Sequence, residues 1–76
     1  MNKERRKHLS VISRQLSDLL TALEEVESEE SEYRDNIPEN LQGSERYEKA
    51  DEACDNLQSA IAAVEEALSY IDSAAE

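Results

Sequence analysis

The chain of 76 residues contains few of the residues that form turns, disulfides and aromatic cores. It has one Gly, one Pro, one Cys and three Tyr, and it has neither Trp nor Phe. A single cysteine excludes an internal disulfide, and so little Gly and Pro argues against a β-rich or loop-rich fold. No apolar run approaches the ~20 residues of a membrane-spanning helix, and the basic start lacks the apolar stretch of a signal peptide. We therefore expect one helical folding unit in the cytoplasm.

Basic residues are also scarce, with 8 Lys and Arg against 19 Asp and Glu and a net charge of -11. This excess argues against direct nucleic-acid binding and against docking on an anionic membrane. The charge is uneven, because residues 1 to 14 sum to +4 and residues 15 to 76 sum to -15. Thirteen of the 19 acids lie between Glu24 and Asp55, so we expect the strongest negative potential around the middle of the chain.

Apolar residues recur at alternating steps of three and four in two long series, interrupted only at Glu30. This spacing predicts two helices with coiled-coil seams, over about residues 3 to 34 and 44 to 75, and strand alternation cannot produce it. The first seam comprises Leu9, Ile12, Leu16, Leu19, Leu23, Val26, Tyr33 and Ile37. The second comprises Tyr47, Ala50, Cys54, Leu57, Ile61, Val64, Leu68, Ile71 and Ala75.

A loop at about residues 35 to 43 separates the helices and holds the only Pro and the only Gly. Pro38 disfavours helical geometry at Ile37, and we expect Gly43 to be free to take a positive φ. Ser44 and Asn2 are predicted N-caps of the two helices. A short connection makes helices antiparallel neighbours, so the predicted fold is all-α, an antiparallel two-helix coiled-coil hairpin.

Pairing the two seams outward from the loop gives a register in which the numbers of facing residues sum to about 80. It also brings Arg6 beside Asp72, so the basic first turns meet the acidic C-terminal turn. The predicted layers pair Tyr33 with Tyr47, Val26 with Cys54, Leu23 with Leu57, Leu19 with Ile61, Leu16 with Val64, Ile12 with Leu68 and Leu9 with Ile71.

A single hairpin offers one thin seam, and the second helix carries another stripe beside it. Small side chains let helices approach closely, so this stripe predicts self-association of two hairpins into a four-helix bundle dimer. The alternative is that alanine is simply the best helix former at positions that flank the first seam. The residues of the stripe are Ala53, Ala60, Ala63, Ala67, Tyr70 and Ala74.

Residues suited to catalysis or metal binding do not converge in this pattern. His8 stands alone near the N-terminus, far in the register from Cys54, so no Cys-His pair and no metal set with N or S ligands forms in one chain. We expect His8 to be solvated and Cys54 to be a small buried hydrophobe opposite Val26. The acidic loop lacks the ligand order of a calcium loop. We therefore expect no enzymatic activity, no bound metal and no cofactor.

The acidic middle of the chain has two interpretations. Rows of carboxylates on a rigid rod can occupy the basic groove of a nucleic-acid-binding protein, or they can be a solvated face that keeps a small helical protein soluble. Glu30 falls in a seam slot opposite Ala50, where Arg34 and Lys49 are near enough to pair with it. The candidate partner-binding residues combine acids with apolar anchors at the loop end, namely Glu24, Glu25, Glu29, Glu32, Tyr33, Asp35, Glu39, Leu41, Glu45 and Glu48.

Residues 36 to 47, NIPENLQGSERY, precede a helix rich in Ala, Leu and Glu. This part of the chain resembles small uncharacterised acidic proteins encoded by phages and integrative elements of Gram-positive bacteria. The resemblance implies a mobile-element context, in which small acidic proteins bind host factors and include inhibitors of defence nucleases. We expect a non-enzymatic module that binds a basic protein surface, and the alternative is a self-assembling structural protein whose acids serve solubility.

Overall fold

The computed structural model describes all 76 residues, and they form a helical hairpin. Helix α1 spans Lys3–Asp35, a short 3-10 turn spans Glu39–Leu41, and helix α2 spans Glu45–Ala75. The two long helices pack against each other along a molecule with extents of 59 × 15 × 12 Å. The predicted helical hairpin is confirmed, and each helix boundary lies within about one residue of the sequence-based expectation.

Both predicted N-caps are confirmed. The Asn2 side chain accepts a hydrogen bond from the backbone N–H of Arg5 at 2.8 Å, and the Ser44 hydroxyl accepts one from the N–H of Tyr47 at 3.3 Å. Each cap satisfies an amide that has no partner within the helix, which is typically worth about 1 kcal/mol. The helix starts are therefore set by local hydrogen bonds as well as by packing.

The loop closes through short-range backbone hydrogen bonds. The N–H of Ile37 bonds to the carbonyl of Arg34 at 3.1 Å, and that of Leu41 bonds to the carbonyl of Pro38 at 2.8 Å. No residue has a positive φ, so the loop does not use the conformational freedom of Gly43. The reason is that consecutive right-handed turns already bring the chain back toward α2.

The fully buried core is small and lies beside the loop. Ile37 is 3%, Ala50 4% and Cys54 0% exposed, and no other residue is buried. The predicted burial of Cys54 is confirmed. A hairpin covers only one side of each helix, so the other residues between the helices are half-buried rather than buried. On α2 these half-buried residues are the predicted ones: Tyr47, Leu57, Ile61, Val64, Leu68, Ile71 and Ala75.

Helix α1 faces α2 with a different set of residues from the predicted seam. Ile12 is 46%, Leu19 65% and Val26 50% exposed, so their predicted pairings with Leu68, Ile61 and Cys54 are wrong as core layers. Tyr33, at 44% exposure, also lies outside the core, and its predicted layer with Tyr47 is wrong in the same way. The least exposed row of α1 consists of Leu9, Ser13, Leu16, Leu20, Leu23, Glu27, Glu30 and Arg34.

The difference is a rotation of α1 about its own axis, so that the residue after each misplaced one turns inward. Three of these inward residues make polar contacts with α2. The Ser13 hydroxyl donates to the Asp72 carboxylate at 3.3 Å, and the Gln58 amide donates to the Glu27 carboxylate at 3.2 Å. The third pair joins Arg34 to Asp51 at 3.0 Å. Apolar residues spaced by three and four mark one side of a helix, but the spacing does not show which of them pack against the neighbouring helix.

Candidate functional site

The contact between the helices is bordered on one side by a row of polar residues, which we call the polar edge. It consists of the pairs Ser13 with Asp72, Glu27 with Gln58, and Arg34 with Asp51. In all three pairs the residue numbers sum to 85, so the pairs follow one continuous line along the hairpin. Along this line, side chains of α1 bond to side chains of α2.

The opposite side carries a row of apolar residues from each helix, which we call the apolar face. Its α1 row contains Ile12, Leu19, Val26 and Tyr33, at intervals of seven residues. Each is between 44% and 65% exposed, so these large side chains face solvent along most of the length of α1. They have no covering element within the hairpin.

The second row of the apolar face lies on α2 and is located by a contact at the loop end. The Arg46 Nε donates to the Tyr33 hydroxyl at 2.8 Å, and the guanidinium lies 5.4 Å from the ring centre. Arg46 is therefore on the same side of the hairpin as the exposed α1 row. Residues seven apart lie on one face of a helix, so this row continues through Ala53, Ala60 and Ala67. These three alanines are half-buried.

Acidic side chains are almost absent from the apolar face and from its borders, although the chain has 19 of them. The bordering rows, at the same spacing of seven, are His8, Gln15, Ala22 and Glu29 on α1, and Lys49, Asn56, Ala63 and Tyr70 on α2. All eight bordering residues are exposed, and only Glu29 is acidic. One side of a strongly acidic protein is thus nearly free of negative charge.

The predicted self-association stripe forms only the α2 half of this surface. Ala53, Ala60 and Ala67 lie half-buried in it, whereas Ala63, Tyr70 and Ala74 are exposed. Sequence reasoning missed the α1 half because it assigned Ile12, Leu19, Val26 and Tyr33 to the seam. A signal for the correct orientation of α1 was present in the sequence. Ser13, Glu27 and Arg34 can each bond to a polar residue of α2, which favours turning these three side chains of α1 toward α2.

The predicted partner-binding residues divide between the outer sides of the two helices and the loop. Those of α1 include Glu24, Glu25 and Glu29, which line one shallow depression with Thr21 and Ser28. The acids Glu45 and Glu48 begin α2, and Glu39 and Leu41 lie in the 3-10 turn. All ten are exposed, including Glu32, Tyr33 and Asp35, but the hairpin does not gather them into one flat patch.

Ion pairs neutralise few of these acids. Arg34 pairs with Asp35 at 3.1 Å and with Asp51 at 3.0 Å, and Lys49 pairs with Glu45 at 3.2 Å. Neither cation pairs with Glu30, so the prediction that they stabilise this carboxylate through ion pairs is wrong. The half-buried position of Glu30 leaves it enough solvent to stay without a salt bridge.

The hairpin shifts the pKa of Arg34 and that of Cys54. The hydrogen bond from the guanidinium to Asp35 is the main cause that raises the pKa of Arg34, and Asp51 adds to it. Burial raises the pKa of the Cys54 thiol, with Glu27 and Glu30 adding to the shift and Arg34 opposing it. A buried thiol that holds its proton is a poor nucleophile. No group of three or more His, Cys, Asp or Glu side chains is arranged to hold a metal ion.

The open end of the hairpin brings the chain termini together. Arg6, Arg14, Asp72 and Glu76 line one depression there, which places Arg6 in the predicted neighbourhood of Asp72. The two do not form a salt bridge, and Asp72 accepts its hydrogen bond from Ser13 instead. The basic and acidic turns therefore meet without a direct ion pair.

Comparison of the chain with protein-family models, with curated proteins and with solved structures finds no match. Neither helix contains a segment that is both long enough and apolar enough to cross a membrane.

Proposed function

We propose that the chain is a non-enzymatic protein-binding module that engages a basic protein surface through the acidic loop half of the hairpin. The observation that carries this proposal is the charge balance of residues 21 to 59. This half contains 13 acids and 3 bases. All three bases are engaged internally, because Arg34 and Lys49 form ion pairs and Arg46 contacts Tyr33. Ten carboxylates therefore have no cationic partner within the chain.

Such a concentration of unpaired charge is suited to capturing a basic partner. A surface of one sign steers an oppositely charged protein toward it and raises the association rate. Because the acids occupy the outer sides of both helices and the turn between them, the best-fitting partner is a basic cleft that receives the tip of the hairpin. A nucleic-acid-binding groove has this charge and shape, and an inhibitor or adaptor of such a protein is in keeping with the resemblance to mobile-element proteins.

The test is affinity capture from a bacterial lysate with two charge-matched variants. One replaces Glu24, Glu25, Glu29 and Glu32 by Gln in the loop half. The control replaces Asp18 by Asn and Glu65, Glu66 and Glu76 by Gln in the terminal half, so that both variants lose four negative charges. We expect a basic partner to be captured by the wild type and the control and to be lost with the loop-half variant. Capture should weaken steeply from low to moderate ionic strength.

A specific observation also favours a second candidate function, that of a self-assembling structural protein. The exposed apolar face is the kind of surface that monomeric soluble proteins rarely leave uncovered. If the wild type and both variants recover only the protein itself, the capture proposal is contradicted and self-assembly is the remaining function.

A further inference from the structure

We propose that the apolar face is the interface of a symmetric homodimer, in which two hairpins pack face to face and antiparallel to form a four-helix bundle. The proposal is independent of the capture of a basic partner, since it uses the side of the hairpin that carries almost no acids. Its elements are the exposed α1 row, the alanine row of α2 and the distribution of charge along the hairpin.

The isolated hairpin buries few of its residues. Only three residues are buried, and all of them lie near the loop. Four large apolar side chains, Ile12, Leu19, Val26 and Tyr33, meanwhile point along one line into solvent. An apolar stripe on a helix is stable when another element covers it. The hairpin supplies no such element on this side, so the cover comes from a second molecule.

The apolar face has the dimensions of a protein interface. A 31-residue helix such as α2 is about 45 Å long at 1.5 Å per residue, and the hairpin is 15 Å wide. A face of these dimensions offers on the order of 700 Å² per protomer, close to the ~800 Å² that each partner contributes to a standard interface. The apolar face is therefore large enough for a stable dimer.

The distribution of charge favours a second copy of the chain as the occupant of the apolar face. A partner with the same net charge of -11 is repelled wherever acids would meet acids. The apolar face and its borders contain one exposed acid, Glu29, next to the half-buried Glu30 of the seam, and they also contain the bases Arg46 and Lys49. Two copies can approach on this side while their other acids stay on the outside of the bundle. A basic partner would instead be expected to bind where the carboxylates are.

The apolar face is also self-complementary about its centre. On α1, Ile12 and Val26 lie seven residues on either side of Leu19; on α2, Ala53 and Ala67 lie seven residues on either side of Ala60. A twofold axis that lies in the interface and crosses both helices at the level of Leu19 and Ala60 therefore places Ile12 against the partner's Val26. It also places Leu19 against its own copy, and the alanine rows against each other. An isologous dimer requires this kind of symmetry.

Charge distribution selects the antiparallel orientation. Residues 21 to 59 carry a net charge of -10, whereas residues 1 to 20 and 60 to 76 together carry -1. A parallel dimer would bring the two strongly acidic loop halves together. The antiparallel dimer places each loop half beside the nearly neutral terminal half of the partner, which lowers the repulsion.

The first test is sedimentation velocity of the full chain from micromolar to submillimolar concentration. We expect a wild-type dimer and a monomeric Leu19→Glu variant. The matched control is Val11→Glu, which adds the same charge at an exposed apolar residue on the outer side of α1, and it should remain dimeric. Circular dichroism checks the helicity of each variant, and Ala60→Glu replaces Leu19→Glu if the latter unfolds. A wild type that is monomeric throughout, or a control that dissociates equally, overturns the proposal.

The second test measures the orientation by the distance between two spin labels in the dimer. Gly43→Cys provides the labelling site in a Cys54→Ala background, because a Cβ atom added at Gly43 meets no atom within 4 Å. In the antiparallel dimer the two loops lie at opposite ends, so we expect a separation on the order of 45 Å, the length of one helix. A separation below about 20 Å would mean that the loop ends meet, and it would overturn the antiparallel arrangement.

Discussion

The two sides of the hairpin differ in how far their side chains find partners within the hairpin. On the polar edge, side chains of α1 and α2 bond to each other at 3.0 to 3.3 Å along the whole length of the hairpin. On the apolar face, the one contact between the helices joins Arg46 to Tyr33. The rest of this face consists of exposed Ile, Leu and Val on α1 and half-buried Ala on α2. One side carries bonds between the two helices, and the other leaves large apolar side chains exposed to solvent.

This difference shows that two apolar rows with the same spacing on one helix can differ in burial. Leu16 and Leu19 are the same residue type, three positions apart, and both fit one heptad pattern. Leu16 is half-buried against α2, whereas Leu19 is 65% exposed. We attribute the different placement to polar neighbours, since turning Ser13, Glu27 and Arg34 toward α2 turns the row of Leu19 away from it.

The largest expected effect separates the seam from the apolar face. Ile61→Ala removes a seam side chain and should lower the free energy of unfolding by about 2 kcal/mol, toward the low end for core truncations because Ile61 is half-buried. Leu19→Ala should cost less than about 0.5 kcal/mol in dilute solution, because its side chain is largely solvated. Urea unfolding followed by helical circular dichroism measures both values.

Protein concentration sharpens this test. If the apolar face is a dimer interface, the cost of Leu19→Ala should grow as the concentration rises, because dimerisation then adds to the stability of the wild type. The cost of Ile61→Ala in a monomeric background should not change in this way. Equal costs for the two variants at every concentration would contradict the assignment of Leu19 to the apolar face.

The next largest effect concerns the polar edge. Arg34→Gln removes the cation that binds both Asp35 and Asp51, and the Arg34 side chain is only 20% exposed. We expect a lower thermal midpoint than in the wild type. Lys49→Gln is the matched control, because its pair with Glu45 is 75% and 81% exposed and should contribute almost nothing. A control that lowers the midpoint as much as Arg34→Gln would show that net charge, rather than the polar edge, is responsible.

A smaller effect is expected from the thiol that lies between the two sides. Burial raises the pKa of Cys54 above its ordinary value of 9.0, so the unfolded chain loses the thiol proton at a lower pH than the folded chain. Ionisation of Cys54 therefore leaves the free energy of unfolding unchanged at a pH below the thiol pKa of the unfolded chain. At higher pH it lowers that free energy by at most ~1.4 kcal/mol per pH unit. Urea midpoints from about pH 8 to pH 10 should fall further for the wild type than for Cys54→Ala, which shares all other titrating groups. Parallel curves would contradict the burial of the thiol.

The smallest effect is expected at the one polar contact of the apolar face. Tyr33→Phe removes the hydroxyl that accepts the hydrogen bond from Arg46 but keeps the ring beneath the guanidinium. The loss should be about 0.5 kcal/mol or less, because both groups are solvent-accessible. Tyr33→Leu also removes the interaction between the cation and the ring and should cost more. If Tyr33→Phe costs as much as Tyr33→Leu, the hydrogen bond is the only contact that matters there.

Local features of the fold were predictable from the sequence. Asn2 and Ser44 cap the helices as expected, and the seam of α2 contains the predicted residues because every position of that series is apolar. The rotation of α1 was not predictable from apolar spacing, since it depends on pairs such as Arg34 with Asp51 that lie far apart in the chain. The sequence likewise left the backbone of Gly43 open, because glycine permits a positive φ but does not require one.

The location of the three buried residues next to the turn has a consequence for how the hairpin folds. Ile37, Ala50 and Cys54 are separated by few residues, so the loop that must close before they meet is short and its entropic cost is low. Contacts nearer the termini join residues that are progressively further apart in the chain, such as Ser13 and Asp72. Folding should therefore begin at the turn and extend toward the termini in the manner of a zipper. The two chain ends are then the last parts to pair and the first to fray.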